Sequence, residues 1–133
     1  MKYFFAACLI LFICTSLLQV SLRAQEKEVA PPSAQIIEAK LGTNVQDRQL
    51  TGEDSTFTLN TKVYLWLKVI GGVSETLTVT WKHGERSYSA AINIGGSPWR
   101  TWVYKTAAIA GEWTVSVADS KGTVLREMSF KVQ

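Results

Sequence analysis

The strongest constraint on the fold is an alternation of apolar and polar residues with a period of two, in short segments separated by turn residues. In TLTVTWK, the residues Leu77, Val79 and Trp81 alternate with threonine or lysine, and Trp113 is the first apolar residue of a second such segment, EWTVSVAD. Neighbouring side chains of a β-strand point to opposite faces, so each segment predicts a strand with one apolar face. Large aromatic residues dominate small β-cores, and we therefore expect Trp81 and Trp113 to be buried.

Turn residues such as Gly71-Gly72 and Gly95-Gly96 divide the chain into about eight such segments. No window from residue 55 onward has the 3.6-residue period of a helix. The polar stretch GTNVQDRQLTGED, residues 42–54, is expected to be a loop or an edge segment. The predicted fold is all-β, an antiparallel immunoglobulin-like β-sandwich of about seven to eight strands. The predicted strands are 34–41, 55–59, 62–70, 76–83, 86–94, 99–105, 112–118 and 123–132.

The first 24 residues have the layout of a secretory signal peptide: Lys2, an apolar run and small or polar residues before Ala24. We predict a signal peptide at 1–24, a short Pro- and charge-rich tether at 25–33 and one β-sandwich domain at 34–133. The apolar run is shorter than the about 20 residues of a spanning helix, so no stable membrane span is expected after cleavage. Retention of the leader as an anchor is the alternative. The predicted location is exported, either periplasmic or extracellular.

The leader also determines what remains in the mature chain. Cys8 and Cys14 both lie in it, so the predicted domain has no thiol and depends on its hydrophobic core for stability. Lys2 and Arg23 are two of the 14 basic residues, and no acidic residue precedes residue 25, so cleavage lowers the formal net charge from +3 to +1. The remaining lysines and arginines form no run that would follow phosphates, and nucleic acid is not an expected partner.

Four blocks of the chain together resemble a bacterial domain of unknown function, number 2914 of its series, over about residues 63–133. The blocks are VYLWLKV, TVTWKHGE, PWRTWVYKT and GEWTVSVADSKGTVLREMSFKV, in this order. The last block is the most specific, with a Gly-x-Trp-x-Val-x-Val strand, a turn and a closing Phe-x-Val. The resemblance implies an all-β fold and a bacterial envelope setting, and it implies no activity.

Residues for catalysis are few. His83 is the only histidine and precedes Gly84 at an expected hairpin end, where a surface role is expected, since a catalytic triad needs a nucleophile and an acid converging on the base. Glu53 and Asp54 lie in the polar stretch, where capping, calcium contact or solvation is expected. We therefore predict no enzyme, no catalytic residue, no cofactor and no metal site.

Two predicted strands are apolar on both faces. In VYLWLKV and WRTWVYK, the side chains that alternate with the expected core residues include four aromatic residues and an arginine. These candidate binding residues are Tyr64, Trp66, Arg100, Trp102 and Tyr104. If the two strands are neighbours, the residues share one outer face, which suits a protein surface or a sugar ring. Alternatively, the segment 34–54 covers this face.

We therefore expect a non-enzymatic secreted or envelope interaction module that binds a protein partner. The alternative is a carbohydrate-binding module that uses the outer aromatic face. The partner is in either case an unknown protein or glycan of the cell envelope.

Overall fold

The computed structural model describes residues 33–133, which contain ten strands and no helix. Within these residues no helix is long and apolar enough to cross a membrane. The predicted signal peptide, 1–24, and residues 25–32 of the predicted tether lie outside the described residues. The strands are β1 Gln35–Gly42, β2 Asn44–Gln46, β3 Gln49–Thr51, β4 Thr56–Phe57, β5 Lys62–Ile70, β6 Thr76–His83, β7 Arg86–Asn93, β8 Trp99–Thr106, β9 Gly111–Ala118 and β10 Val124–Val132.

The all-β prediction is confirmed, and all eight predicted strands occur with ends within two residues of the predicted ones. The strands form a three-stranded sheet β1-β5-β8, a five-stranded sheet β4-β10-β9-β6-β7 and a hairpin β2-β3. One ladder departs from the predicted antiparallel arrangement, because the two-residue strand β4 runs parallel to β10. So short a strand has no alternation from which its direction or its partner could be inferred.

The core lies between the inward faces of the two larger sheets. On β5, Val63 and Val69 are fully buried, and they pack in one cluster with residues of β6, β9 and β10. Trp81 and Trp113 are each 2% exposed, as predicted from the alternation. The Trp113 ring is stacked on the Phe130 ring with centroids 6.0 Å apart and an interplanar angle of 14°. The period-two pattern therefore identified the core side of these strands correctly.

The polar stretch 42–54 is a hairpin in the structure. Strands β2 and β3 pair from Asn44↔Thr51 to Gln46↔Gln49, and Asp47 and Arg48 form the turn. Both turn residues have positive φ, 51° and 62°, which is the geometry of a type I′ turn. The sequence at this turn is Asp-Arg, without the glycine that usually signals such a hairpin, and this explains why the two strands were not predicted.

Candidate functional site

The outer face of the three-stranded sheet carries the candidate binding residues in cross-strand rows. Strands β5 and β8 are antiparallel neighbours, with Tyr64 opposite Tyr104 and Trp66 opposite Trp102. Arg100 is opposite Lys68 in the next row. Directly opposed residues of a sheet project from the same face, so the condition that the two strands be neighbours is met.

The hairpin β2-β3 covers part of this face. Trp66 is only 6% exposed, and its Nε1–H donates a hydrogen bond of 2.9 Å to the backbone oxygen of Arg48 in the hairpin turn. Gly42 permits the close approach, since a Cβ atom there would lie 2.8 Å from the Leu50 side chain. Segment 34–54 therefore covers the face at Trp66, as the alternative prediction states, and the Trp66 ring is not available to an external ligand.

The remaining candidate residues reach the surface. Trp102 is 37% exposed and Tyr104 is 53% exposed, while Tyr64 is half-buried and Arg100 is exposed. The Tyr64 and Tyr104 rings are 5.3 Å apart at an angle of 41°. The accessible part of the predicted site is thus shifted to β8, the edge strand of its sheet.

A groove of about 630 Å³ lies between the hairpin turn and the start of β8. Its walls include Arg48 from the turn, Lys68 from β5, and Arg100 and Trp102 from β8. A smaller hollow of about 230 Å³ adjoins it, shares Lys68 and Arg100, and also has Glu38 and Glu53 in its wall. The larger groove has no acidic residue in its wall, so this end of the face is cationic.

Sequence reasoning missed two residues of the groove. Lys68 follows Tyr64 and Trp66 at every second position of β5, so the alternation predicts that it shares their outer face. It was not among the candidate binding residues of β5 because it is not aromatic. Arg48 had no signal, because its position depends on a hairpin that the local pattern does not indicate. Both become apparent only when β5, β8 and the hairpin turn are placed together.

The residues considered for catalysis have structural contacts. The His83 ring lies 5.1 Å from the Trp113 ring, and its Nε2 is 3.0 Å from the backbone oxygen of Ala110. Because a carbonyl oxygen only accepts, Nε2 carries the proton in this contact. Asp54 accepts hydrogen bonds from the backbone N–H groups of Ser55 and Thr56, at 2.7 and 3.2 Å. Residues 33–133 contain no group of three or more His, Cys, Asp or Glu side chains placed to hold a metal ion.

Comparison with protein families identifies a family of unknown function. The family described as "Protein of unknown function (DUF2914)" matches residues 74–132, which confirms the resemblance inferred from the sequence. The matched segment contains β6 to β10 and therefore Arg100 and Trp102. Arg48 and Lys68, the other two cations of the groove wall, precede the matched segment.

Comparison with curated proteins found no match. Among solved structures, the chain is similar to the Pseudomonas fluorescens alkylpurine DNA glycosylase AlkC bound to DNA containing an abasic site analog, with a TM-score of 0.49 and 11% sequence identity. The similarity covers 76% of this chain, which spans 30% of the glycosylase chain.

Proposed function

We propose that the protein is a non-enzymatic interaction module of the bacterial envelope, exported by the leader at 1–24 and folded as an immunoglobulin-like sandwich. Its binding surface is the outer face of the sheet β1-β5-β8. Periplasmic or extracellular placement is supported by the signal-peptide layout of the sequence.

The groove beside Trp102 is the observation that carries this proposal. Ligand sites for small molecules are concave and typically about 300–1,000 Å³ in volume, a range that includes this groove of about 630 Å³. An exposed indole next to a guanidinium offers a flat apolar surface with a polar rim. The hairpin changes a flat aromatic face into a concave one, and concavity favours a sugar ring over an extended protein surface. Carbohydrate binding is therefore the first candidate function.

A protein partner is the second candidate, and the free edge of β8 favours it. Ala107 N donates to Thr61 O at 2.9 Å, in register with the ladder between β5 and β8. In an antiparallel ladder, hydrogen-bonded pairs alternate with non-bonded ones, so the odd-numbered residues of β8 bond to β5. The backbone groups of Arg100, Trp102 and Tyr104 then point to the open edge, where a strand of a partner could pair.

Titration of the soluble protein with oligosaccharides and peptidoglycan fragments tests the first candidate. Binding should change the tryptophan emission and release measurable heat, and Trp102→Ala should abolish both signals. Val124→Ala is the matched control, because Val124 is 56% exposed and lies on the other sheet. If no saccharide gives heat or an emission change, while an envelope protein is captured by the wild type and not by Trp102→Ala, carbohydrate binding is rejected in favour of the protein partner.

A further inference from the structure

We infer that the groove between the hairpin turn and β8 binds an acidic saccharide. The acidic group lies among Arg48, Lys68 and Arg100, and the attached sugar ring lies on Trp102. This inference rests on the proposed carbohydrate-binding function and adds the charge and orientation of the ligand.

The first argument is charge. Lys68 and Arg100 are directly opposite each other on neighbouring strands, an arrangement of like charges that destabilises a sheet. Arg48 adds a third cation to the same groove. Within residues 33–133 the ion pair that forms joins Lys40 and Glu38, at 3.8 Å. Glu38 is also opposite Lys68 on β1, but among the described residues no carboxylate lies within ion-pair distance of the three groove cations. An anionic ligand would remove the repulsion and satisfy the free donors.

The second argument is the backbone of Arg48. The φ of Arg48 is 62°, so its backbone is in the left-handed region, where glycine or asparagine is favoured over residues with long side chains. Its backbone oxygen accepts the Trp66 hydrogen bond, and any residue could supply that oxygen. The type I′ turn requires the positive φ, but neither the turn nor the hydrogen bond to Trp66 requires an arginine side chain at this position.

The third argument is the difference in charged residues between the groove beside Trp102 and the adjoining hollow. The groove with Trp102 has only cations among its charged wall residues, whereas the adjoining hollow contains Glu38 and Glu53. A carboxylate, phosphate or sulfate is attracted more strongly to the groove, because the hollow combines its two carboxylates with Lys40, Lys68 and Arg100. Arginine binds such groups in a bidentate manner, and the exposed indole supplies a surface for the ring that carries the acid. The ligand is thus held in one direction along the groove.

Matched ligands test the inference on the full-length mature protein by calorimetry. Oligogalacturonate is the acidic probe, and its methyl ester is the control with the same ring and no charge. A heparin fragment supplies sulfate instead of carboxylate, and polyglutamate supplies carboxylate without a sugar ring. We expect the free acid to bind at least about tenfold more tightly than the ester, since hydrogen bonds to charged groups contribute this much. Raising the salt from about 0.05 to about 0.5 M should weaken binding of the acid selectively.

Variants separate charge from folding. Arg100→Gln and Lys68→Gln should each weaken oligogalacturonate binding about tenfold, while Arg86→Gln, an exposed arginine on β7, should not. Arg48→Gly relieves the positive-φ strain, so it should leave the melting temperature unchanged or raised and still weaken binding about tenfold.

Each contrary outcome has a distinct meaning. Equal affinity for acid and ester, with unaltered binding by the three variants, overturns the acidic inference and leaves carbohydrate binding standing. Equal affinity for polyglutamate overturns the assignment to a sugar and indicates an acidic peptide. No heat with any saccharide refutes both the inference and the carbohydrate proposal.

Discussion

Replacing Trp66 by phenylalanine should release the hairpin β2-β3 from the sheet while leaving the core intact. Phenylalanine keeps an aromatic ring beneath the hairpin but has no N–H to donate to the Arg48 oxygen, 2.9 Å away. Losing one partly buried hydrogen bond costs about 1 kcal/mol. The smaller ring loses roughly another 1 kcal/mol of apolar contact, since Trp66 is 6% exposed. The expected total is about 2 kcal/mol.

The local effect should exceed the global one, because an isolated two-stranded hairpin is marginally stable in water. A loss of about 2 kcal/mol in hairpin docking raises the ratio of open to docked hairpin about thirtyfold. Hydrogen exchange measured by NMR should therefore be about thirtyfold faster than in the wild type for the amides of Asn44–Gln46 and Gln49–Thr51, a larger increase than for those of β9. Urea unfolding gives the global change.

Trp113→Phe is the matched control for this experiment. It also removes an indole hydrogen bond, from Nε1 to the Ile109 oxygen at 2.9 Å, but Trp113 is on β9 in the five-stranded sheet. This variant should destabilise the whole domain without selective exchange in the hairpin. If Trp66→Phe accelerates amide exchange in the hairpin no more than in the rest of the domain, the indole hydrogen bond does not hold the hairpin and the prediction is wrong.

Three further substitutions test the core, the hairpin approach and the histidine contact. Trp113→Ala should cost about 3–5 kcal/mol in urea unfolding, whereas Trp102→Ala, at 37% exposure, should cost clearly less because less apolar area is lost. Equal costs would contradict the assignment of the two faces. Gly42→Ala should cost about 1–3 kcal/mol and accelerate hairpin exchange, because the new Cβ would lie 2.8 Å from Leu50, and unchanged exchange would mean that the hairpin adapts without loss. His83→Ala should lower the unfolding free energy by about 1 kcal/mol, because the hydrogen bond to the Ala110 oxygen is lost. A melting temperature equal to that of the wild type would contradict a structural role for His83.

The sequence was sufficient for the strands and for the side of each strand that faces the core. Residues i and i+2 of a strand share a face because of local backbone geometry, so parity can be read without knowing any neighbour. That is why Trp81 and Trp113 were correctly predicted to be buried, at 2% exposure each. The resemblance to the family, predicted over about residues 63–133 and matched over 74–132, depends on the same local pattern.

The neighbours of each strand were decided only by the tertiary structure. Parity placed Trp66 and Trp102 on one outer face, but the hairpin above Trp66 and the edge position of β8 give these residues different environments, one buried and one exposed. The hairpin depends on two turn residues with positive φ and on a hydrogen bond that spans 18 positions of the chain. Alternation describes one strand at a time, whereas a groove requires side chains from β5, β8 and the hairpin turn to meet. The sequence by itself therefore determined which residues point outward, and the packing of distant segments determined which of them can bind.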